Sequence, residues 1–167
     1  HVHIPFYNVD ESYKEFSVVL TAPSKTFNLA GLRTSNIMIA DEKLRKAYQE
    51  TMNRYGVNEP NFFFFFSCMT AYNECELWVD EMLEYVYDNF TYFDEFLKEN
   101  LPHIHLVKPE GLYLCWGDFR ECGLNKDELE KTMLEKAGLW LDEGYIFGTG
   151  GEGFERFNLA IPRSVLE

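Results

Sequence analysis

Ser17-Val-Val-Leu-Thr-Ala-Pro-Ser-Lys-Thr-Phe-Asn-Leu-Ala-Gly-Leu32 decides how this chain is read. Val18, Val19 and Leu20 form an apolar run that predicts a buried strand, and the run ends at a turn of small residues holding one lysine, Lys25. Burial disfavours the ammonium form, so a lysine confined there loses basicity and becomes a nucleophile toward carbonyl carbon. Asn28 and Gly31 are expected to shape the turn, because glycine adopts backbone angles barred to other residues. The alternative is a surface lysine on a solvated turn, the commonest fate of that residue.

Two further stretches extend the pattern: Gly153-Phe-Glu-Arg-Phe-Asn-Leu-Ala-Ile-Pro-Arg163, and between them Pro109-Glu-Gly-Leu-Tyr-Leu-Cys-Trp-Gly-Asp-Phe119. With Ser24-Lys-Thr-Phe-Asn-Leu-Ala-Gly-Leu32 they resemble fold-type-I pyridoxal-phosphate enzymes. Within these, the likeness is to the class I/II aminotransferase group, on the cystathionine β-lyase and cysteine C–S lyase branch. Two ordered blocks about 130 residues apart make the signal specific.

The resemblance implies a cofactor, pyridoxal 5′-phosphate, held by Lys25 as a Schiff base, with the same amine moving the proton at the substrate Cα. It implies that Arg163 grips the substrate α-carboxylate, which a planar guanidinium does through two parallel hydrogen bonds. An ion pair with one of the 28 acidic side chains is the competing reading. Arg33, eight residues after Lys25, and the hydroxyls of Ser24 and Thr21 are candidates for the cofactor phosphate. Arg156 and Asn158 are assigned structural roles.

In such enzymes the lysine lies in the second half of a chain more than twice as long. The sequence therefore reads as a C-terminal-half fragment, without the glycine-rich phosphate loop, the aspartate for the pyridine nitrogen and the stacking tyrosine. The expected fold class is α/β: residues 1–77 as the C-terminal part of the cofactor-binding large domain, and residues 78–167 as a small α+β domain led by the inter-domain helix.

Composition sets limits. The 167 residues are 46% hydrophobic and 17% aromatic, too apolar for a disordered acidic tail. A formal charge of −13 lacks the basic footprint that nucleic acid and anionic membranes require. No apolar span long enough for a bilayer occurs, and a cytoplasmic protein is expected. Cys68, Cys75, Cys115 and Cys122 lack C-x-x-C spacing and read as free thiols in a reducing compartment. His1, His3, His103 and His105 form no ligand cluster, so no metal is expected.

Along the chain, Tyr13–Pro23 leads into the first strand and Thr34–Ala40 reads as a second. Asp41 suits a helix N-cap, Leu44, Ala47, Tyr48, Met52 and Tyr55 recur at helical spacing, and Gly56 fits the helix end. Val57–Asn61 is a loop containing Pro60. Phe62 through Phe66 are five consecutive phenylalanines whose periodicity fits helix and strand equally, and they pose an aggregation hazard. Glu74–Leu101 is a long amphipathic pattern with Val79, Met82, Val86, Phe90, Phe93 and Leu97 on one stripe, ended by Pro102. Strands are predicted at Ile104–Val107, Gly111–Phe119, Trp140–Phe147 and Phe157–Ile161, with a helix from Asn125 to about Lys136 capped by Gly138. Gly148-Thr-Gly-Gly-Glu-Gly153 matches G-x-G-x-x-G by letter. A strand, not a helix, follows it, so a dinucleotide site is rejected and a mobile loop is expected.

Three functions compete. The leading one is a C–S β-lyase acting on cysteine-type amino acids to give pyruvate, ammonia and a thiol. The second is a class I/II aminotransferase on the same scaffold; the Thr-Phe-Asn-Leu-Ala-Gly segment after Lys25 favours the lyase. The third is a non-catalytic domain with the aminotransferase fold. The expected partners are a small amino-acid substrate and, at full length, a second copy in a homodimer.

Overall fold

The computed structural model describes residues 3–57, 59 and 61–167. Pro60, and with it part of the loop expected over Val57–Asn61, lies outside the described residues, as does His1. The chain divides into two compact units, His1–Val79 and Asp80–Glu167.

In the first unit β1 (Val19–Thr21) and β2 (Asn36–Met38) form an antiparallel pair with Val19 opposite Met38 and Thr21 opposite Asn36. Both strands fall where the sequence puts them, but shorter. Glu11–Glu15 is a 3-10 turn capped by the Asp10 side chain, which accepts from Ser12 N at 2.9 Å. The expected burial of the apolar run needs correction. This sheet has two strands; Val18 and Val19 are half-buried and Leu20 is 64% exposed. The Tyr7 hydroxyl ties the ladder together, donating to Met38 O at 2.7 Å and accepting from Ala40 N at 3.2 Å.

Helix α1 (Glu42–Tyr55) starts where the Asp41 carboxylate accepts from Leu44 N at 2.7 Å, and it ends at Gly56, whose φ of 64° favours glycine. Leu44, Tyr48 and Met52 are half-buried, while Ala47 and Tyr55 are exposed. Helix α2 (Phe64–Glu74) resolves the phenylalanine run as a helix start. Asn61 decides this: its side chain accepts from Phe63 N and its carbonyl from Phe64 N, both at 2.9 Å. Four of the five rings remain exposed, Phe62, Phe63, Phe65 and Phe66.

Helix α3 (Glu76–Asn100) presents the predicted stripe, with Val86, Phe90 and Leu97 buried and Val79, Met82 and Phe93 half-buried. Asn89 also lies on that arc and is 0% exposed. In the second unit β3 (His105–Val107), β4 (Leu114–Asp118), β5 (Asp142–Glu143) and β6 (Phe154–Asn158) form an antiparallel sheet in the order β3-β4-β6-β5. One sheet face builds the core. Cys115 and Leu159 pack with Val86 and Phe90, while Phe119, Leu129 and Met133 form a second cluster, and Phe157 touches both. Gly117 lies on this face, where a Cβ would meet the rings of Phe157 at 2.8 Å and Phe119 at 3.0 Å.

Helix α4 (Lys126–Lys131) opens with a capping box: Asn125 accepts from Glu128 N, and the Glu128 carboxylate accepts from Asn125 N, each at 3.0 Å. It passes into a π-helical turn, Thr132–Ala137, closed by Gly138 at φ 68°. Two strand predictions shift. Trp140–Phe147 is a strand only at Asp142–Glu143; Gly144–Phe147 is a 3-10 turn and Trp140 is 90% exposed. The last strand is Phe154–Asn158 rather than Phe157–Ile161, because the chain leaves the ladder where the Asn158 side chain accepts from Ala160 N at 3.0 Å. A short helix, α5 (Arg163–Leu166), follows.

Candidate active site

Lys25 occupies the turn that follows β1. Its backbone frame is fixed by Phe27 N donating to Pro23 O at 3.0 Å and Leu29 N donating to Ser24 O at 2.9 Å. Pro23 is fully buried and Asn28 takes the left-handed φ of 54°, as an asparagine tolerates. Gly31 does not shape the turn as expected: its φ is ordinary and the space beside its Cα is open. Phe27 packs edge-on against Tyr72 of α2 with ring centroids 5.4 Å apart, which anchors the turn to the first unit. Ser24 is half-buried, whereas Lys25 and Thr21 are exposed. The dry environment predicted for Lys25 is therefore not formed by these residues, because β1 has a single neighbouring strand and the turn lies open. Among the described residues Lys25 makes no ion pair.

Arg33 terminates the 3-10 turn Ala30–Leu32 with φ 51° and is exposed. It lines a cleft of about 560 Å³ with Gly31, Thr34, Ser35, Met52 and Phe64. That cleft does not include Thr21, Ser24 or Lys25. The four candidate phosphate and lysine positions thus share one turn-and-strand segment, with Thr21, Ser24 and Lys25 grouped at the end of β1 and Arg33 set apart.

Arg163, in the second unit, is the most fully built of the candidates. It opens α5, and its backbone N–H donates to the Tyr85 hydroxyl at 2.8 Å. Its guanidinium lies over the Tyr92 ring, 4.4 Å from the centroid, and its Nε–H donates to Asn89 Oδ1 at 2.9 Å. The side chain is half-buried. Among the described residues no carboxylate pairs with it, although the chain carries 28 acidic residues. Its listeners are a neutral amide and an aromatic face, so its charge stays available for an anion.

Sequence reasoning missed Asn89. The available signal was its place on α3, three residues after Val86 and four before Phe93, inside the apolar arc. Arg156 behaves as assigned: it pairs with Asp142 across β5–β6 and lies 4.6 Å above Phe147. The glycine stretch 148–153 is followed by β6, as read from the sequence, and its Gly148–Gly151 part lines a small aromatic cleft of about 260 Å³ with Trp116, Phe147 and Phe154. His105 and His103 lie 3.4 and 3.9 Å from the Glu121 carboxylate on an exposed surface. The Cys115 thiol is pushed up to about 11 by burial first and Asp94 second, which makes it a packing residue rather than a nucleophile.

The first unit thus carries a lysine on an open turn, and the second an arginine held by uncharged partners. The model of aminotransferase class I and II matches residues 6–167, and the chain belongs to that family. It is 36% identical over 167 residues to cystathionine beta-lyase PatB of Bacillus subtilis, covering 100% of this chain and 43% of that protein. It is 31% identical over 166 residues to protein MalY of Escherichia coli, covering 99% and 42%. Among solved structures, cystalysin from Treponema denticola, which contains a pyridoxal 5′-phosphate cofactor, matches with a TM-score of 0.95 and 37% identity over 99% of this chain and 42% of that one. The chain thus spans about two fifths of the length of these relatives. The mixed α/β fold expected from the sequence is the fold of the corresponding part of such enzymes.

Proposed function

We propose that this chain forms part of a pyridoxal-phosphate-dependent C–S β-lyase, cleaving the Cβ–S bond of cysteine-type amino acids such as cystathionine to pyruvate, ammonia and a thiol. The observation that carries this reading is Arg163, a half-buried guanidinium whose partners are all uncharged. An amino acid supplies the carboxylate it lacks. The names of the relatives, a cystathionine beta-lyase and cystalysin, support the lyase over other chemistries.

The donor set fits the cofactor. Lys25 offers a primary amine on an open turn and Thr21 and Ser24 offer hydroxyls beside it, while Arg33, lining a separate cleft, is the further candidate for the phosphate. When bound, pyridoxal phosphate supplies the electron sink that stabilises negative charge at the substrate Cα. Lys25 would hold the cofactor through its amine, and the same amine would take the proton at the substrate Cα. Arg163 would hold the substrate carboxylate.

Residues 1–77 and 78–167 are assigned to the large and small domains of the full-length enzyme, which we place in the cytoplasm as a homodimer. Four free cysteines support a reducing compartment. The second reading is an aminotransferase, supported by the family itself. The full-length protein separates them: the lyase releases pyruvate from cystathionine or cysteine without a keto acid, and an aminotransferase requires a keto acid and releases no thiol. Keto-acid-dependent turnover alone would overturn the lyase reading, and no turnover of either kind would favour a non-catalytic domain.

A further inference from the structure

We infer that Asn89 is a positioning residue for Arg163: its buried amide holds the guanidinium by Nε and leaves the outer Nη1–Nη2 edge as the fork that receives the substrate carboxylate. The inference rests on the reading of Arg163 given above. Asn89 Nδ2 donates to Leu159 O and to Ile161 O, both at 2.9 Å. An amide nitrogen has two protons, and both are used, so the amide orientation is fixed and Oδ1 must face Arg163. Oδ1 accepts from Arg163 Nε at 2.9 Å. Asn89 is 0% exposed, which makes an unpaired amide there costly and the three bonds mutually enforcing.

The arrangement couples two things. The carbonyls of Leu159 and Ile161 belong to the segment that leads from β6 to Arg163, and one side chain of α3 bonds that segment and the guanidinium together. Tyr92 covers one guanidinium face at 4.4 Å and the Tyr85 hydroxyl receives the Arg163 backbone N–H at 2.8 Å. Residue type matters at position 89. An aspartate would keep the oxygen but would neutralise Arg163 and lose both donors. A neutral amide fixes the cation without competing for its charge.

The test uses the full-length holoenzyme and two probes, L-alanine and its decarboxylated counterpart ethylamine, whose affinity ratio reports carboxylate recognition independently of turnover. Arg163→Ala is expected to abolish the preference for the amino acid. Asn89→Ala is expected to reduce it by about tenfold or more, and to raise KM for cystathionine with a much smaller change in kcat. Asn89→Asp is expected to reduce the preference at least as far, and being isosteric it carries the test should the alanine variant not fold. If Arg163→Ala loses the preference while the Asn89 variants that fold keep it, the positioning role is overturned and the carboxylate role of Arg163 stands. If Arg163→Ala keeps the preference, the carboxylate role falls and the positioning role with it.

Discussion

Gly144 and Gly151 approach each other so closely that a Cβ on either would overlap the carbonyl oxygen of the other. Gly151 N also donates to Gly148 O at 3.1 Å, so the glycine stretch folds back on itself against the 3-10 turn Gly144–Phe147. The loop is anchored at that point. Gly144→Ala is expected to destabilise the full-length protein by roughly 1–3 kcal/mol, as overpacking does. Gly31→Ala, with ordinary φ and open space, is expected to be neutral. Urea unfolding of the two variants side by side checks both.

Glu155 gives the protein a pH-dependent stability. It is 1% exposed, and its Oε2 has no hydrogen-bond partner among the described residues. Burial, then the Glu143 and Glu130 carboxylates, raise its pKa from 4.5 to about 7. Between those values the folded chain keeps a proton that the unfolded chain has lost. Stability from this group therefore falls as pH rises from about 4.5 to about 7 and is level above that range. The loss is on the order of 3 kcal/mol. Glu155→Gln should remove the slope, stabilising near pH 8 and changing little near pH 4. Unfolding midpoints at the two pH values measure it, and identical slopes in variant and parent would refute the assignment.

The capping box at α4 is a local stability element. Asn125→Ala removes the bond from Glu128 N and disengages the reciprocal one. A loss of about 1 kcal/mol is expected by chemical denaturation, with the rest of the fold unchanged.

Lys25 is exposed and unpaired among the described residues, so Lys25→Ala should leave folding stability within about 0.5 kcal/mol of the parent. In the full-length protein the same change should abolish the visible absorbance that survives dialysis and cut turnover by at least ~10²–10⁴-fold. Retained absorbance after dialysis would remove Lys25 from its role.

Much of this architecture is legible from residue pattern because local chemistry and tertiary packing agree. Asp41 and Asn125 mark helix starts by side-chain capping, Gly56 and Gly138 mark helix ends by their left-handed backbone, and all four perform as expected. The α3 stripe is long enough to be unambiguous. Trp140–Phe147 fails for the opposite reason: its apolar residues suggest a strand, but only Asp142 and Glu143 find partners on β6, and Trp140 points to solvent. The last strand slips because Leu159 to Ile161 are apolar, yet the carbonyls of Leu159 and Ile161 accept from the Asn89 side chain. The solvent exposure of Lys25 is illegible locally, since it depends on how many strands flank β1. Sequence blocks named Arg163; only side-chain packing reveals that its companions carry no charge.

That last property bears on how the full-length protein is handled. A guanidinium with no acidic companion among the described residues also attracts small inorganic anions, so chloride, sulfate and phosphate should compete for it. Apparent substrate affinity in the full-length protein should then be weaker in chloride, sulfate or phosphate than in a zwitterionic buffer.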